Sequence, residues 1–429
     1  MLPSVMKVVE RVVQCQVTEY LDQHQLFTDA QHGYRRGRST ETALAVITDK
    51  VYRAMDNGEV SILVLIDLSK CFDGSSHDKI LDKLHLYNID TTWFRNYLHG
   101  HSQQVKVQNN DGSFSLSQSL PITTGVFQGG SLSCLLFSIF ANDLCLYMSD
   151  VTIVQYADDT QLLISGRKDD LTSLISRMEE TLSDLFTWFC TNDMKVNASK
   201  SQMIVLGTRQ MLRGLQPISI RFAGATVCES ATVRNLGLVM DKHLSYHEHV
   251  THVVSKCTGA LLALSHARHV LPPNSLKPIV NSLVVSVVRY CIAIYGTCGT
   301  TELNRVQKVL NFCARVISGR RKYSHVNDIL RDLNWLSAAN LALYHRIISV
   351  HRVIVSGQPT SIACTLETHD HGHDTRHSGR LRLPRIRTEA GRRQLVHSGV
   401  NSYNDFIATY DRRTRLKTAV TRYLLHDQR

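Results

Sequence analysis

The strongest constraint on this chain is a strand-like run, VQYADDTQLLIS at residues 154–165, that two adjacent aspartates interrupt. Inside a strand, Asp158 and Asp159 would point to opposite faces, give each other no partner and lose their water. A hairpin tip removes this conflict, because Asp is common in tight turns. The pattern therefore predicts two strands joined at these acids, either as a structural turn or as a cation site.

A third carboxylate stands at the end of another apolar run. VSILVLIDL at residues 60–68 is typical of a strand that is buried on both faces, and Asp67 ends it. If this strand neighbours the hairpin in one sheet, three carboxylates meet at one edge. Oxygen ligands without His or Cys suit Mg²⁺, and two such ions about 3.5–4 Å apart stabilise a phosphoryl displacement. Each acid alone is explained by a surface turn, whereas the three together favour a two-metal site.

Other residues near these runs fit a phosphate-handling site. Phe72 follows Asp67 by five residues, either as a core aromatic or as a flat wall against a nucleotide sugar. TGVFQGGS at residues 124–131 is a glycine-bearing turn before a helix, which allows close backbone approach by a substrate. Gln128 in this turn would face a base pair or simply begin the helix.

A basic loop precedes these elements. QHGYRRGRST at residues 31–40 places arginines among glycines. Guanidinium groups in such a loop can grip a triphosphate, and a solvated basic turn is the alternative. The residues concerned are Arg35, Arg36 and Arg38.

The composition favours a polyanionic partner. The 429 residues carry a formal net charge of +11, and the 54 residues after position 375 hold 13 Lys and Arg against 4 Asp and Glu. This balance favours nucleic acid over a membrane surface. We find no signal peptide and no run of about 18 apolar residues. Eleven cysteines without a CxxC pair indicate free thiols. We therefore expect an intracellular protein without a membrane partner, and the oligomeric state is left open.

The pattern along the chain divides it into two halves. Strands and helices alternate up to about residue 210, and RNLGLVMD near residue 237 has the pattern of a strand. Four amphipathic helices are predicted between residues 247 and 355. Beyond residue 357 the pattern weakens, and a loop with a short final helix is predicted.

Five motifs occur in an order that resembles the reverse transcriptases of non-LTR (LINE-type) retrotransposons, in particular the Jockey-like and chicken-repeat-like lineages. The resemblance covers the chain up to about Trp335, with QHGYRRGRSTETAL similar to a fingers motif and LSYHEHVTHVVSKC to the start of a thumb. The five motifs are DLSKCFD, TGVFQGGSLSCLLFSIFANDL, YADDTQLLIS, NDMKVNASKSQMIVLG and VRNLGLVMD.

The resemblance implies an α+β, right-hand polymerase that copies an RNA template onto a DNA primer from deoxynucleoside triphosphates. It implies fingers and palm in residues 1–210, primer-grip strands in 211–245, a helical thumb in 246–356, and a basic, partly disordered region in 357–429. Asp67, Asp158 and Asp159 would bind two Mg²⁺ ions, or Mn²⁺, with help from the Leu68 carbonyl. The other implied roles are a sugar gate at Phe72, a nucleotide pocket at Gln128 and Gly129, a triphosphate grip at Arg35 and Arg38, a pyrophosphate contact and proton donor at Lys200, and a primer grip at Asn235, Leu236 and Gly237.

The chain departs from the family pattern at several positions. Phe127 stands where Pro is usual, Gly130 where Ser or Thr is usual, and Ser76 where an acid is usual. The chain also begins inside the first fingers block. These departures suggest a truncated or decayed copy, so a catalytically silent nucleic-acid-binding remnant is the alternative function. In an active element, the expected compartments are cytoplasm and nucleus.

The C-terminal region carries two further hypotheses. The sequence between residues 369 and 377 is rich in histidine, and such tracts can bind zinc. The arginines after residue 376 alternate with apolar residues, which fits either an extended segment along a nucleic-acid backbone or a solvated tail. The histidines are His369, His371, His373 and His377.

Overall fold

The structure is a computed structural model. It describes residues 4–69, 71–127, 129–148, 151–320, 325–368, 380–411 and 413–426. Gln128 and the four histidines of the proposed zinc tract lie outside the described residues.

An antiparallel sheet of four strands lies at the centre of the first half, in the order β10-β1-β8-β7. Strand β1 pairs on one side with β10, where Leu63 lies opposite Ile204, and on the other side with β8, where Leu63 lies opposite Leu163. The remaining strands form two-stranded ribbons. The strands are β1 (Val60–Ile66), β2 (Leu68–Ser69), β3 (Ser102–Gln103), β4 (Lys106–Gln108), β5 (Phe114–Leu116), β6 (Leu120–Pro121), β7 (Thr152–Tyr156), β8 (Asp159–Gly166), β9 (Lys195–Val196), β10 (Gln202–Leu206), β11 (Ser219–Phe222), β12 (Ala225–Cys228), β13 (Thr232–Asn235) and β14 (Leu238–Asp241).

Helices surround this sheet and form most of the second half. The α-helices are α1 (Ser4–Gln23), α2 (Thr40–Asp56), α3 (Cys71–Gly74), α4 (His77–Leu86), α5 (Thr92–Leu98), α6 (Ser131–Phe140), α7 (Leu171–Thr191), α8 (Arg209–Leu212), α9 (His247–Ala267), α10 (Pro273–Val280), α11 (Ser286–Arg289), α12 (Ile292–Tyr295), α13 (Thr300–Ser318), α14 (Val326–Asp332), α15 (Ala338–Ser356), α16 (Thr360–Ala363), α17 (Glu389–Arg392), α18 (Leu395–Ile407) and α19 (Leu416–His426). Short 3₁₀ helices span Asn142–Tyr147 and Lys168–Asp170, and a π-helix spans Asn281–Val285 between α10 and α11.

The two faces of the sheet belong to two different hydrophobic cores, which explains the continuous apolar pattern of β1. Ile62 and Val64 point into a core with α4, α6 and α7. Leu63, on the opposite face, points into a core with α2 and the helices after residue 246. Side chains alternate along a strand, so a strand covered on both faces needs apolar residues at every position.

The second core extends from α2 to α19 and corrects the prediction of a loop with one short helix after residue 357. Helices α18 and α19 bury Val400, Phe406 and Val420 in this core. The buried carboxylate of Asp49 in α2 accepts hydrogen bonds from the backbone N–H groups of Leu395 and Val396, at 2.6 and 3.0 Å. Helices α18 and α19 have 13 and 11 residues, and because isolated helices of such length are marginal in water, contact with distant residues stabilises them.

The predicted domain boundaries at residues 210, 245 and 356 stay predictions. The core that begins in α2 includes β-strand residues such as Leu206, hairpin residues such as Val233 and helical residues up to Leu424. The segments on either side of each predicted boundary therefore share one buried core.

Among the described residues, we find no helix that is both long enough and apolar enough to cross a bilayer.

Candidate active site

The structure brings the three predicted aspartates to one edge of the central sheet. Strands β7 and β8 form a hairpin in which Tyr156 lies opposite Asp159, so Ala157 and Asp158 form the turn. Strand β8 also pairs with β1, where Ile66 lies opposite Thr160. Asp67 follows Ile66 directly and Asp159 precedes Thr160, so these two acids are neighbours across the strand pair. The structure therefore has the hairpin and the strand pairing that the three-carboxylate hypothesis requires.

The carboxyl groups of this edge influence one another electrostatically. Partial burial and the charge of Asp67 raise the pKa of Asp158 above its ordinary value. Partial burial, followed by the charges of Asp158 and Asp67, raises the pKa of Asp159 to about 6. Burial and the same three charges raise the pKa of the Cys71 thiol to about 12. The edge therefore carries concentrated negative charge, which a cation would offset.

The donor chemistry of this edge fits Mg²⁺, because carboxylate oxygens are its preferred protein ligands. Within the described residues, however, no three Asp, Glu, His or Cys side chains lie close enough to form a complete set of metal ligands. The backbone thus supplies the common location of the three acids.

A tight turn between β9 and β10 holds the backbone of Asp67. The Asp67 N–H donates to the Ser201 hydroxyl at 3.3 Å, and the Asn197 N–H donates to the Asp67 carbonyl at 2.9 Å. Leu68 pairs with Val196 in the same segment. Lys200 lies in this turn with an exposed side chain. Leu68 therefore follows Asp67 directly and Lys200 lies in the turn that contacts the Asp67 backbone, and the roles of both stay predictions.

The loop before α2 fixes the turn of the catalytic hairpin through two residues that the sequence analysis missed. The fully buried Gln31 donates from Nε2 to the Ala157 carbonyl at 3.3 Å and accepts from the Ala157 N–H at 3.1 Å. Gly33 packs so closely that a Cβ atom there would lie 2.4 Å from the Ala157 nitrogen. The QHG sequence at residues 31–33 could have identified them, but the sequence analysis considered only the arginines that follow it in this loop. Gln31 and Gly33 thus set the backbone that carries Asp158.

Gly33→Ala is therefore expected to displace the turn and lower nucleotide addition by about a hundredfold or more, since small shifts of a reacting group cost this much. The clash involves backbone atoms, so we also expect about 1–3 kcal/mol of destabilisation from overpacking. Activity assays and thermal unfolding measure both effects. Gly259→Ala is the matched control, because a Cβ atom at Gly259 in α9 meets nothing within 4 Å. Equal activity of the two variants would contradict the assigned role of Gly33.

The same loop corrects the predicted triphosphate grip at Arg38. The Arg38 guanidinium is 1% exposed, pairs with the Asp29 carboxylate and donates to Gln358. Burial acts to raise the pKa of Asp29, but the charge of Arg38 and the hydrogen bonds that Asp29 accepts hold this pKa below its ordinary value. Arg38 therefore stabilises the loop instead of reaching a substrate.

Arg35 also has partners within the loop, although its side chain is only half-buried. Its guanidinium donates to the Thr28 carbonyl at 2.6 Å and lies 4.8 Å from the centre of the Phe27 ring. Burial, together with the charge of Arg38, lowers its pKa to about 10. Arg36, by contrast, is exposed.

The nucleotide-pocket residues lie on two segments that meet beside Asp67. The Phe72 ring stacks on Phe137 with 4.5 Å between ring centres, and Phe72 is half-buried. A Cβ atom at Gly125 would lie 2.8 Å from the Asp73 carbonyl oxygen, so the TGVF turn packs directly on α3. Gly129 has a φ of +82° and open space around it, as a position of close substrate approach requires.

Comparison with known proteins decides the family. The family model described as reverse transcriptase (RNA-dependent DNA polymerase) matches residues 1–240, which is more than half of the chain. The chain belongs to the reverse transcriptase family. This finding confirms the family that the ordered motifs suggested, and it agrees with the mixed helix and sheet of the fold.

Curated relatives of this reverse transcriptase are RNA-directed DNA polymerases from a transposon and from a mobile element. The probable RNA-directed DNA polymerase from transposon BS of Drosophila melanogaster is 25% identical over 352 residues, which cover 78% of this chain and 37% of the relative. The RNA-directed DNA polymerase from mobile element jockey of the same species is 25% identical over 351 residues, which cover 78% of this chain and 36% of the relative. The chain therefore spans little more than a third of the length of these relatives. Among solved structures, apo telomerase from Candida Tropicalis is similar over 83% of this chain and 60% of the telomerase chain. The sequence identity is 13% and the TM-score is 0.39, and we base no argument on this likeness.

The packing explains one departure of this reverse transcriptase from the family pattern. At Gly130, where Ser or Thr is usual, a Cβ atom would lie 2.9 Å from Oε1 of the buried Glu10. Glu10 accepts from the Ser131 N–H at 2.8 Å, which satisfies a free donor at the start of α6. A carboxylate from α1 thus replaces the capping hydroxyl that residue 130 lacks.

The second departure is accommodated by an aromatic cluster. Phe127 makes edge-to-face contacts with Tyr97 at 5.2 Å and with His101 at 4.7 Å between ring centres. Tyr97 also donates its hydroxyl to Glu10. Phe127 and Gly130 are therefore packed as one unit with α1 and α5.

The predicted primer-grip residues form a hairpin, which corrects the single strand predicted for RNLGLVMD. Leu236 and Gly237 have φ values of +44° and +83° and form a two-residue turn between β13 and β14. The buried Asn235 donates to the Gln161 side chain on β8 at 2.8 Å, and the Tyr290 hydroxyl donates to the Leu236 carbonyl at 2.5 Å. The hairpin is thereby attached to the catalytic strand and to the helices that follow.

Proposed function

We propose that this chain is the polymerase portion of a non-LTR retrotransposon reverse transcriptase. It adds deoxynucleotides to a DNA primer along an RNA template. The observation that carries the proposal is the meeting of Asp67, Asp158 and Asp159 at one sheet edge in a chain of this family.

In this function, Asp67, Asp158 and Asp159 hold two Mg²⁺ ions, or Mn²⁺, with the Leu68 carbonyl as a further ligand. When bound, such ions supply stabilisation of the attacking and leaving oxygens in an in-line phosphoryl displacement. The primer 3′-hydroxyl gives its proton to water, its oxygen bonds to the α-phosphorus, and the bond from that phosphorus to the pyrophosphate oxygen breaks. Lys200, exposed in the turn beside Asp67, is suited to contact the pyrophosphate and return a proton to it.

The remaining residues orient the substrates. The turn around Gln128 and Gly129 lines the nucleotide pocket, and Asn235, Leu236 and Gly237 hold the primer end. Arg35 keeps its assignment to the triphosphate because its half-buried guanidinium retains N–H groups beyond the two bonds that it makes. The protein would act in the cytoplasm and nucleus.

A catalytically silent remnant is the alternative that the packing disfavours. The replacements at Phe127 and Gly130 are matched by Tyr97 and Glu10, since Tyr97 contacts the Phe127 ring and Glu10 caps the start of α6. A magnesium-dependent primer-extension assay on an RNA template tests the proposal. Extension that requires Mg²⁺ or Mn²⁺ supports it, and RNA binding without any extension would favour the remnant.

The sugar gate gives a second test. If Phe72 faces the ribose 2′ position, Phe72→Ala is expected to raise ribonucleotide incorporation relative to deoxyribonucleotide incorporation by about tenfold or more. Phe72 also stacks on Phe137, so Phe72→Leu serves as a variant that keeps more of this packing. Single-nucleotide extension with each substrate measures the ratio. An unchanged ratio in an active variant would assign Phe72 to the core alone.

A further inference from the structure

Two adjoining cavities lie along α15, outside the carboxylate edge. The first has a volume of about 360 Å³ and lies between α11, α13, α15 and α19. The second, of about 460 Å³, lies between α15 and the loop before α2. They share Glu41, Ser349 and Arg352 in their walls, so they adjoin, and we call the two cavities together the channel.

This channel carries positive charge that the described part of the protein does not neutralise. Arg36, Arg289, Arg352 and Lys417 line it with exposed side chains. Within the described residues, none of these four side chains forms an ion pair or a hydrogen bond. Glu41 is the one acidic residue among the described residues of the two walls, so an excess of cations remains.

Three of the cations line the first cavity together with His345. Burial, followed by the charges of Arg289, Arg352 and Lys417, lowers the pKa of His345 to about 4. Arg289 and Arg352 also act on the Tyr344 hydroxyl, although burial raises its pKa overall. Since the three cations come from α11, α15 and α19, only the folded chain assembles this cluster.

Aromatic side chains complete the wall of the first cavity. Tyr344 and Trp335 line it, and the ring of His345 lies 5.4 Å from that of Tyr344. Sites for single-stranded nucleic acid combine a positively charged groove along the backbone with aromatic rings on which bases stack. Both cavities are in the size range of pockets that hold a small-molecule ligand, which is far smaller than a duplex.

We propose that this channel binds a single strand of RNA, with Arg36, Arg289, Arg352 and Lys417 on its phosphates and Tyr344 against a base. This proposal rests on the proposed function, because the RNA strand in the channel is taken to be the template of the polymerase. It adds a second RNA contact, formed by the loop before α2 together with the C-terminal helices, that is distinct from the carboxylate edge. The strand would run from the loop beside the catalytic hairpin towards α19.

The test compares two triple variants of the full chain by equilibrium binding of a fluorescent single-stranded RNA in EDTA. R289A/R352A/K417A removes three channel cations, and K256A/K308A/R422A removes three exposed cations that line neither cavity. Each lost phosphate contact lowers the slope of log affinity against log salt by about 0.7, so the channel variant is expected to lose about 2. We expect about tenfold or more weaker binding near 0.1 M salt, while the control changes little.

A second measurement keeps the result independent of folding and of catalysis. Tyr344→Leu preserves bulk and charge, and we expect a loss of about fivefold or more for single-stranded RNA with little change for an RNA–DNA duplex. Equal salt slopes for both triple variants, or an equal loss on duplex and single strand, would overturn the channel proposal. Because no divalent ion is present, these results do not depend on polymerase activity, and absence of primer extension would refute the proposed function alone.

Discussion

Asp67→Asn or Asp158→Asn is expected to abolish nucleotide addition while the fold stays intact. Either change removes a carboxylate oxygen from the edge where Asp67 follows Ile66 and Asp158 forms the hairpin turn. Loss of metal-ion catalysis costs several kcal/mol of transition-state stabilisation, or about a thousandfold or more in rate. Primer extension at ordinary Mg²⁺ measures this loss.

The same variants are expected to unfold at an unchanged or slightly higher temperature. Burial, and after it the charge of neighbouring acids, raises the pKa of Asp158 and Asp159, so removing one charge relieves the repulsive part of this effect. Asp169→Asn is the matched control, because Asp169 is an exposed acid just after β8. Full activity of Asp67→Asn or Asp158→Asn would refute the two-metal assignment, whereas loss of activity in Asp169→Asn would point to a general charge effect.

A chain that ends at residue 375 is expected to lose its folded structure, in contrast to the removal of a solvated tail. The truncation removes Val400, Phe406 and Val420 from the second core, and it leaves the buried Asp49 carboxylate without two donors. Each fully buried apolar side chain contributes about 1.5–3 kcal/mol, against a total stability of about 5–15 kcal/mol. Circular dichroism and denaturant unfolding measure the effect.

Two point variants make this prediction specific. Val400→Ala in α18 is expected to lower the free energy of unfolding by about 1–3 kcal/mol, because the side chain is fully buried. Arg422→Ala in α19 is expected to change it by less than about 0.5 kcal/mol, because this side chain is exposed. A truncated chain with native stability would show that the C-terminal helices are dispensable. The truncation is accordingly unsuitable as a test of RNA binding, which requires the point variants of the channel.

The catalytic elements could be predicted from sequence because their signals are local. A carboxylate that ends or interrupts an apolar strand has few structural explanations, so Asp67, Asp158 and Asp159 could be identified from the pattern of residues around them. The pairing of β1 with β8 was only a condition of that prediction, because a two-sided apolar pattern indicates burial of both faces and does not identify the neighbouring strand. Leu68 follows Asp67 directly in the chain, and Lys200 lies in the turn that hydrogen-bonds to the Asp67 backbone.

The C-terminal helices and the role of each arginine could not be predicted in this way. Arg35, Arg36 and Arg38 share one short basic motif, yet Arg38 is buried against Asp29 and Gln358 while Arg36 stays exposed. The difference depends on Gln358, which is 320 residues away in the chain.

The sequence by itself therefore determined the residue types of the candidate site, namely three carboxylates at the ends of strands and glycine turns for close approach, and it determined the excess of basic residues. The tertiary structure decided which residues support that chemistry. Gln31 and Gly33 hold the turn of Asp158, Glu10 replaces a cap at Gly130, and α18 and α19 complete the core behind α2. The physical reason is that backbone conformation and strand ends are set by nearby residues, whereas buried polar contacts and core packing join residues that are distant in sequence.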